Sequence, residues 1–101
     1  MFIPDKERLA ILEQILNEFR GVNAAAQRRR FKAALLRLGS VLTFELSRFL
    51  GIYNPPARKH ELLHGEGWDI VTTREPVVTE SGDKHSLGRF TLRATPKDLV
   101  I

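Results

Sequence analysis

The chain has 101 residues, enough for one domain with one modest core. Hydrophobic residues make up 43% and charged residues 28%, a balance typical of a globular protein and not of a disordered one. The absence of cysteine excludes disulfide bonds and thiolate zinc sites and fits a reducing cytosol. The opening residues are too polar for a signal peptide, and no apolar run approaches the length of a membrane span. We therefore expect a cytoplasmic protein with no membrane partner.

The formal net charge of +4 is unevenly distributed along the chain. Residues 1–20 and residues 65–101 each carry a net charge of −1. Residues 21–64 carry eight basic and two acidic side chains, a net charge of +6. A basic field concentrated in one segment favours a polyanionic partner. A solvated helix face is the plainer interpretation of the same charges, and it stays open at this point.

The first predicted helix is opened by Asp5 or Pro4 and ended by Gly21. Its apolar stripe consists of Leu9, Leu12, Ile15, Leu16 and Phe19. A stripe of five large apolar side chains has to be buried against another surface. Two alternatives stay open: the stripe packs on the rest of the same domain, or it packs on a second copy of the chain, which would make residues 5–20 a homodimer interface.

A second helix is predicted from Ala24 to Leu38, with Asn23 as its N-terminal cap and Gly39 as its stop. Its apolar stripe consists of Phe31, Ala34, Leu35 and Leu38. Val41 and Leu42 then form a short extended link, which we expect to pair with a later sheet.

The rest of the chain is organised around the stretch from Leu42 to Trp68, which predicts two short helices joined by a tight turn. Thr43 is the expected cap of the first of these helices. Its apolar positions Leu46, Phe49 and Leu50 fall on one stripe, at i, i+3 and i+4. Gly51 ends the helix, because glycine enters the left-handed conformation at little cost.

The second short helix starts at Asn54 and Pro55. Asparagine caps a helix, and proline tolerates the first turn because its missing N–H would have no partner there. The helix is expected to run to about His64, with Gly65 and Gly67 releasing it. Two helices of this length with so short a connection favour a steep crossing, which is helix-turn-helix geometry.

From Trp68 the apolar pattern switches to period two, which predicts a strand. Pro76 is expected to limit strand pairing, because proline has no donor for the ladder. Ser81-Gly82-Asp83 is a predicted turn, and residues 87–93 are the predicted return strand. The side chains expected to cover the helices are Trp68, Ile70, Phe90 and Leu92.

The most distinctive runs in these elements are Gly51-Ile52-Tyr53 with Pro56-Ala57-Arg58, then His60-Glu61-Leu62, then Gly67-Trp68-Asp69-Ile70-Val71-Thr72. On these runs the segment from about Phe31 to Arg93 resembles a helix-turn-helix (winged-helix) family found in small proteins of temperate phages and prophages. The sequence departs from that pattern at Lys59, where an aliphatic is expected, and at Leu63, where a basic residue is common. The resemblance implies a winged-helix fold and DNA binding.

The predicted fold class is therefore α+β: a winged helix-turn-helix with an extra N-terminal helix and a C-terminal β-hairpin wing. Residues 1–22 form the N-terminal helix, residues 23–94 the winged helix-turn-helix domain, and residues 95–101 a tail.

The candidate DNA-reading residues lie on the second short helix, which a winged helix offers to the major groove by its N-terminal end. On a helical wheel Leu62, Leu63 and Lys59 share the core side. The candidates on the other side and the flank are Asn54, Ala57, Arg58 and His60. Asparagine suits adenine and arginine suits guanine. Arg58 and Glu61 stand at i, i+3 and form an ion pair in the alternative interpretation, which would take Arg58 away from DNA.

Phosphate contacts, which position a protein on DNA without specifying a sequence, are expected from two further groups. The helical group consists of Arg28, Arg29, Arg30, Lys32 and Arg48. The wing group consists of Lys84, His85 and Arg89.

One motif argues for a different function. His60-Glu61-Leu62-Leu63-His64 matches H-E-x-x-H, in which two histidines bind zinc and the glutamate activates water. The third ligand of the longer motif would fall on Ile70, and the only methionine is Met1, so no Met-turn exists. We interpret the match as coincidental and expect no cofactor, no metal site and no enzymatic activity.

The sequence thus predicts a double-stranded DNA-binding protein of phage or prophage type, associated with the nucleoid of a bacterial host cell. It would act as a transcriptional regulator or as an accessory factor in recombination, replication or packaging. The alternative is a protein-interaction module directed at a host or phage protein.

Overall fold

The computed structural model describes residues 5–78, 81–97 and 99 and contains four helices and a three-stranded sheet within that part of the chain. In chain order the elements are α1 (Lys6–Glu18), α2 (Ala24–Leu38), β1 (Ser40–Leu42), α3 (Thr43–Leu50), α4 (Pro55–Gly65), β2 (Asp69–Val78) and β3 (Lys84–Ala94). The predicted opening of α1 at Pro4 lies outside the described residues. None of the described helices is long and apolar enough to cross a membrane.

Three helices begin at the caps that the sequence predicts. Asp5 Oδ1 accepts the backbone N–H of Arg8 at 2.8 Å, and Asn23 Oδ1 accepts that of Ala26 at 2.8 Å. Asn54 Oδ1 accepts the N–H of Ala57 at 3.3 Å, with Pro55 as the first residue of α4. These side chains satisfy N–H groups that have no partner within the helix.

The prediction that Thr43 caps α3 is wrong. Thr43 is already the first helical residue, and Leu42 occupies the cap position. The carboxylate of Glu45 reaches back instead, and its Oε1 accepts the backbone N–H of Leu42 at 2.9 Å. At the other end, Gly51 takes the left-handed conformation as predicted, with φ 63° and ψ 32°.

The sheet has the strand order β1-β3-β2 and is antiparallel throughout. Val41 pairs with Phe90, so the predicted extended link joins the hairpin sheet. Pro76 does not end the pairing: it lies opposite Ser86, and the ladder continues to Val78 and Lys84. Since β2 is an edge strand, the missing N–H of proline is tolerated there.

The helices and one face of the sheet enclose a single cluster of buried side chains. From the helices α1 contributes Leu12 and Ile15, both fully buried, so α1 packs on its own domain. Trp68, Ile70 and Phe90 close the cluster from the sheet side, as predicted, and Leu92 packs partly buried beside them. This core fixes α4 between α2 and the hairpin.

Candidate nucleic-acid interface

The side chains of α4 that are buried in the core determine the orientation of this helix. Pro55 and Leu62 are buried, whereas His60 and His64 are exposed one turn apart. The two imidazole rings lie 4.4 Å apart between centroids, tilted by 50°. One side of α4 is therefore open to a partner, as a recognition helix requires.

The one carboxylate within α4, that of Glu61, lies on its other side, towards α2. Glu61 Oε1 accepts a hydrogen bond from Arg28 Nη1 at 3.1 Å, and Glu61 Oε2 accepts one from Arg58 Nη2 at 3.2 Å. Arg58 Nε also lies 2.8 Å from Glu61 Oε1. Of the two alternatives for Arg58, the structure shows the ion pair.

Glu66 completes this layer of charges between α2 and α4. Lys32 Nζ donates to Glu66 Oε1 at 2.8 Å, and Arg28 Nε lies 3.6 Å from Glu66 Oε2. The Lys32 side chain is only 10% exposed. Arg28 and Lys32 therefore hold α4 against α2, which corrects their expected placement on a phosphate-binding surface.

Arg30 is also corrected. It is 2% exposed, and its guanidinium donates to three backbone carbonyls from two parts of the chain, the segment after α1 and the end of α3. Nε donates to Leu50 at 2.6 Å, while Nη1 donates to Phe19 at 2.7 Å and to Gly21 at 2.8 Å. Burial lowers the pKa of Arg30, but an arginine stays protonated at neutral pH. Arg30 joins the ends of α1 and α3 and is inaccessible to DNA.

On the hairpin, Arg89 has structural partners. Its Nε and Nη2 donate to Glu75 at 3.0 and 2.8 Å, and its Nη1 donates to Ser40 Oγ at 2.8 Å. The hydrogen bonds between Arg89 and Glu75 raise the pKa of Arg89 and lower the pKa of the Glu75 carboxyl. Arg89 therefore clamps β3 to its neighbours and is a correction to the wing group. Lys84 and His85 are exposed where β3 begins, next to the turn at Ser81-Gly82-Asp83 that the sequence predicts.

The remaining candidates, apart from Ala57, are exposed. Arg29 is exposed on α2 and Arg48 on α3, where its guanidinium lies 5.5 Å from the ring centroid of Phe49. Asn54 is exposed although its side chain caps α4, and Ala57 is half-buried.

An open groove of about 700 Å³ runs between α3, α4 and one face of the hairpin, and we call it the α4–hairpin groove. The α3 wall consists of Thr43, Phe44 and Ser47. The α4 wall consists of Pro55, Pro56, Lys59, His60, Leu63 and His64. The hairpin floor consists of Thr72, Arg74, Ser86, Leu87, Gly88 and Phe90. A Cβ built on Gly88 would lie 3.2 Å from Thr43 Cγ2, so glycine lets α3 approach β3 closely.

Sequence reasoning missed the groove residues Lys59, His64 and Arg74 as candidates. Lys59 was expected on the core side, but its ammonium donates to the Thr72 hydroxyl and lies 5.6 Å from the Phe90 ring centroid. It therefore bridges α4 and the hairpin across the groove. One signal in the sequence was available. Glu61 and Glu66 are suited to pair with the basic residues of α2, which would place their side of α4 against α2 and Lys59 on the opposite side.

The H-E-x-x-H motif has its three polar residues on different sides of α4. His60 and His64 line the groove, whereas the Glu61 carboxylate is held by Arg28 and Arg58 on the α2 side. Within the described residues, no three histidine, aspartate or glutamate side chains come together as a candidate metal site.

Helix α2, strand β1, helices α3 and α4 and the β2–β3 hairpin follow one another in the order that defines a winged helix-turn-helix domain, with α4 as recognition helix and the hairpin as wing. The family model described as "Winged helix-turn-helix domain" matches residues 26–95, and the chain belongs to that family. Searches of curated proteins and of solved structures gave no match. A winged helix-turn-helix domain suggests DNA binding and is typically non-enzymatic.

Proposed function

We propose that this protein binds double-stranded DNA, with the exposed side of α4 in the major groove and the start of β3 against the phosphate backbone of the DNA. The observation that carries the proposal is the separation of charge around α4. Glu61 and Glu66 are paired with α2, whereas Lys59, His60 and His64 lie on the opposite, open side. A DNA-facing helix has to keep carboxylates away from phosphates, and this arrangement does so.

The proposed roles follow from exposure. His60 and Asn54 are the candidates for base edges, because Asn54 is exposed at the N-terminal cap of α4 and His60 is exposed at its middle. The candidates for phosphates are Arg29, Arg48, Lys84 and His85. Ala57 would add only an apolar contact.

The biological setting is proposed from the resemblance to phage and prophage proteins. A small DNA-binding protein of that type would act at the nucleoid, as a transcriptional regulator or as an accessory factor in recombination, replication or packaging. Pairing of two copies through residues 5–20 remains part of the proposal. Such a dimer would have to form through the side chains of α1 other than Leu12 and Ile15, because these two are fully buried in the core.

Fluorescence anisotropy with a labelled duplex of mixed sequence tests the proposal at several salt concentrations. Three cationic phosphate contacts, from Arg29, Arg48 and Lys84, predict that log Kd rises against log salt with a slope of about 2.7, because each contact releases counterions. A duplex that is not retained even at low salt would contradict DNA binding. Selection of bound duplexes from a random pool then identifies the preferred site, if α4 reads bases.

A further inference from the structure

The α4–hairpin groove has more apolar surface than a DNA backbone can use. Its apolar lining consists of Phe44, Pro55, Pro56, Leu63 and Phe90, of which Pro55 and Phe90 are largely buried beneath the groove surface. Phosphates and sugars are matched by cations and hydrogen-bond donors, which need no apolar floor. A concave site of about 700 Å³ lies in the size range of sites that bind an apolar ligand or side chains of a partner.

The charge around this apolar floor has one sign. Lys59 and Arg74 line the groove together with the two imidazoles, and no carboxylate of the described residues is part of the lining. The nearby acids are directed elsewhere: Glu61 towards α2, and Glu75 towards Arg89. Glu75 follows Arg74 on β2, so the two side chains point to opposite faces of the hairpin. An occupant of the groove is therefore expected to be acidic as well as apolar.

We infer that the α4–hairpin groove binds an acidic amphipathic helix of a partner protein. Its α4 wall extends from Pro55 to His64, about 13 Å at 1.5 Å per residue. That length matches between two and three turns of a bound helix, whose apolar residues at i, i+3 or i+4 and i+7 would contact the floor. Glutamate or aspartate on its flanks would face Lys59, which spans the groove, and Arg74 on the hairpin.

Binding of a helix in the groove goes beyond the proposed function and does not depend on it, whereas its effect on DNA occupancy rests on the proposed function. A helix in the groove would cover Lys59, His60 and His64, which also form the open side of α4. The partner and a DNA duplex would then exclude each other, so the partner would release the protein from DNA. The groove would couple the level of an acidic partner to DNA occupancy.

The test is a selection of displayed 14-residue peptides from a random library on the full chain, with counter-selection on Leu63→Glu. Leu63 lies in the groove and packs partly buried against the core, so circular dichroism first confirms that Leu63→Glu is folded. Leu36→Glu is the control for a new carboxylate outside the groove, because Leu36 is a partly exposed leucine of α2. We expect selected peptides with net negative charge and apolar residues at helical spacing. They should bind Leu63→Glu at least tenfold more weakly and Leu36→Glu within twofold of the wild type.

Arg74→Glu is the second variant, because Arg74 is exposed on the hairpin and its replacement leaves the core intact. It should also weaken the selected peptides at least fivefold. Recovery of no peptides, of neutral or basic peptides, or of peptides that bind all variants equally would overturn the inference. Mixed-sequence duplex should compete with bound peptide. Peptide binding by a protein that retains no duplex would reject the proposed function while leaving this inference standing.

Discussion

Arg58 and Glu61 form an ion pair on the side of α4 that faces α2, with Arg58 Nε 2.8 Å from Glu61 Oε1. The Arg58 side chain is only 17% exposed, and Arg28 shares the same carboxylate from α2. Arg58, the one arginine among the candidates for base contact, is thus part of the interface between α2 and α4. The open side of α4 is instead marked by His60 and His64.

This pairing predicts that Arg58→Ala and His60→Ala differ in their effect on DNA. His60→Ala should weaken binding to a selected duplex about five- to tenfold, since one lost base contact is worth ~1 kcal/mol or more. Arg58→Ala should change the Kd less than twofold. Anisotropy titrations on both variants measure this, after circular dichroism has confirmed that each is folded. A larger effect for Arg58→Ala would mean that the ion pair opens on DNA.

The neighbours Arg29 and Arg30 make a second matched pair. Arg30→Met removes three hydrogen bonds from a buried cation to backbone carbonyls, and we expect a loss of about 3 kcal/mol in the free energy of unfolding. Arg29→Met, on the exposed side, should stay within about 0.5 kcal/mol. Urea denaturation measures both. Equal destabilisation by the two variants would contradict the role given to Arg30.

Glu45 is predicted to be the carboxylate on which the attachment of α1 depends. It is fully buried, accepts from Arg8 Nε at 2.6 Å and from Arg8 Nη2 at 2.9 Å, and caps α3 through Leu42. Glu45→Gln should lower the free energy of unfolding by about 2–3 kcal/mol, because a charged, hydrogen-bonded partner is lost. Glu13→Gln, on the exposed side of α1, is the control and should change it little.

The order of elements was predictable because local signals mark each one. Asn23, Gly51 and Asn54 act through their own backbone neighbours, so single residues carry the information. The direction of the basic side chains was not predictable in this way. Arg30 is buried because three carbonyls from two separate segments converge on it, and no local pattern in the sequence encodes that convergence.

The net charge of residues 21–64 overstates the basic surface for the same reason, namely that contacts between distant parts of the chain decide where each charge lies. Its excess of +6 includes Arg28, Lys32 and Arg58, which Glu61 and Glu66 hold at the back of α4. Glu66 lies just beyond the segment in sequence but packs against it in space. The basic surface available to a partner is therefore smaller than the composition indicates, and it lies mainly along the groove and the start of β3.

The ion pair of Glu75 and Arg89 predicts how the stability of the fold changes at acidic pH. The hydrogen bond from Arg89 holds the pKa of Glu75 below its usual value of 4.5 in the folded protein. A lowered pKa means that the ionised pair stabilises the fold above pH 4.5 and that this contribution disappears as the pH falls below it. Glu75→Gln should therefore destabilise the protein at pH 6, by less than about 1 kcal/mol because the pair is partly exposed.

Urea denaturation of the wild type and Glu75→Gln between pH 2 and pH 6 measures this contribution. The difference between the two curves should shrink towards zero at the acid end, since the wild-type carboxyl is then protonated as well. Glu18→Gln is the parallel case, because Arg37 lowers the pKa of Glu18 by the same kind of hydrogen bond between α1 and α2. A difference that grows as the pH falls would mean that Glu75 binds protons more readily in the folded state, contrary to its contact with Arg89.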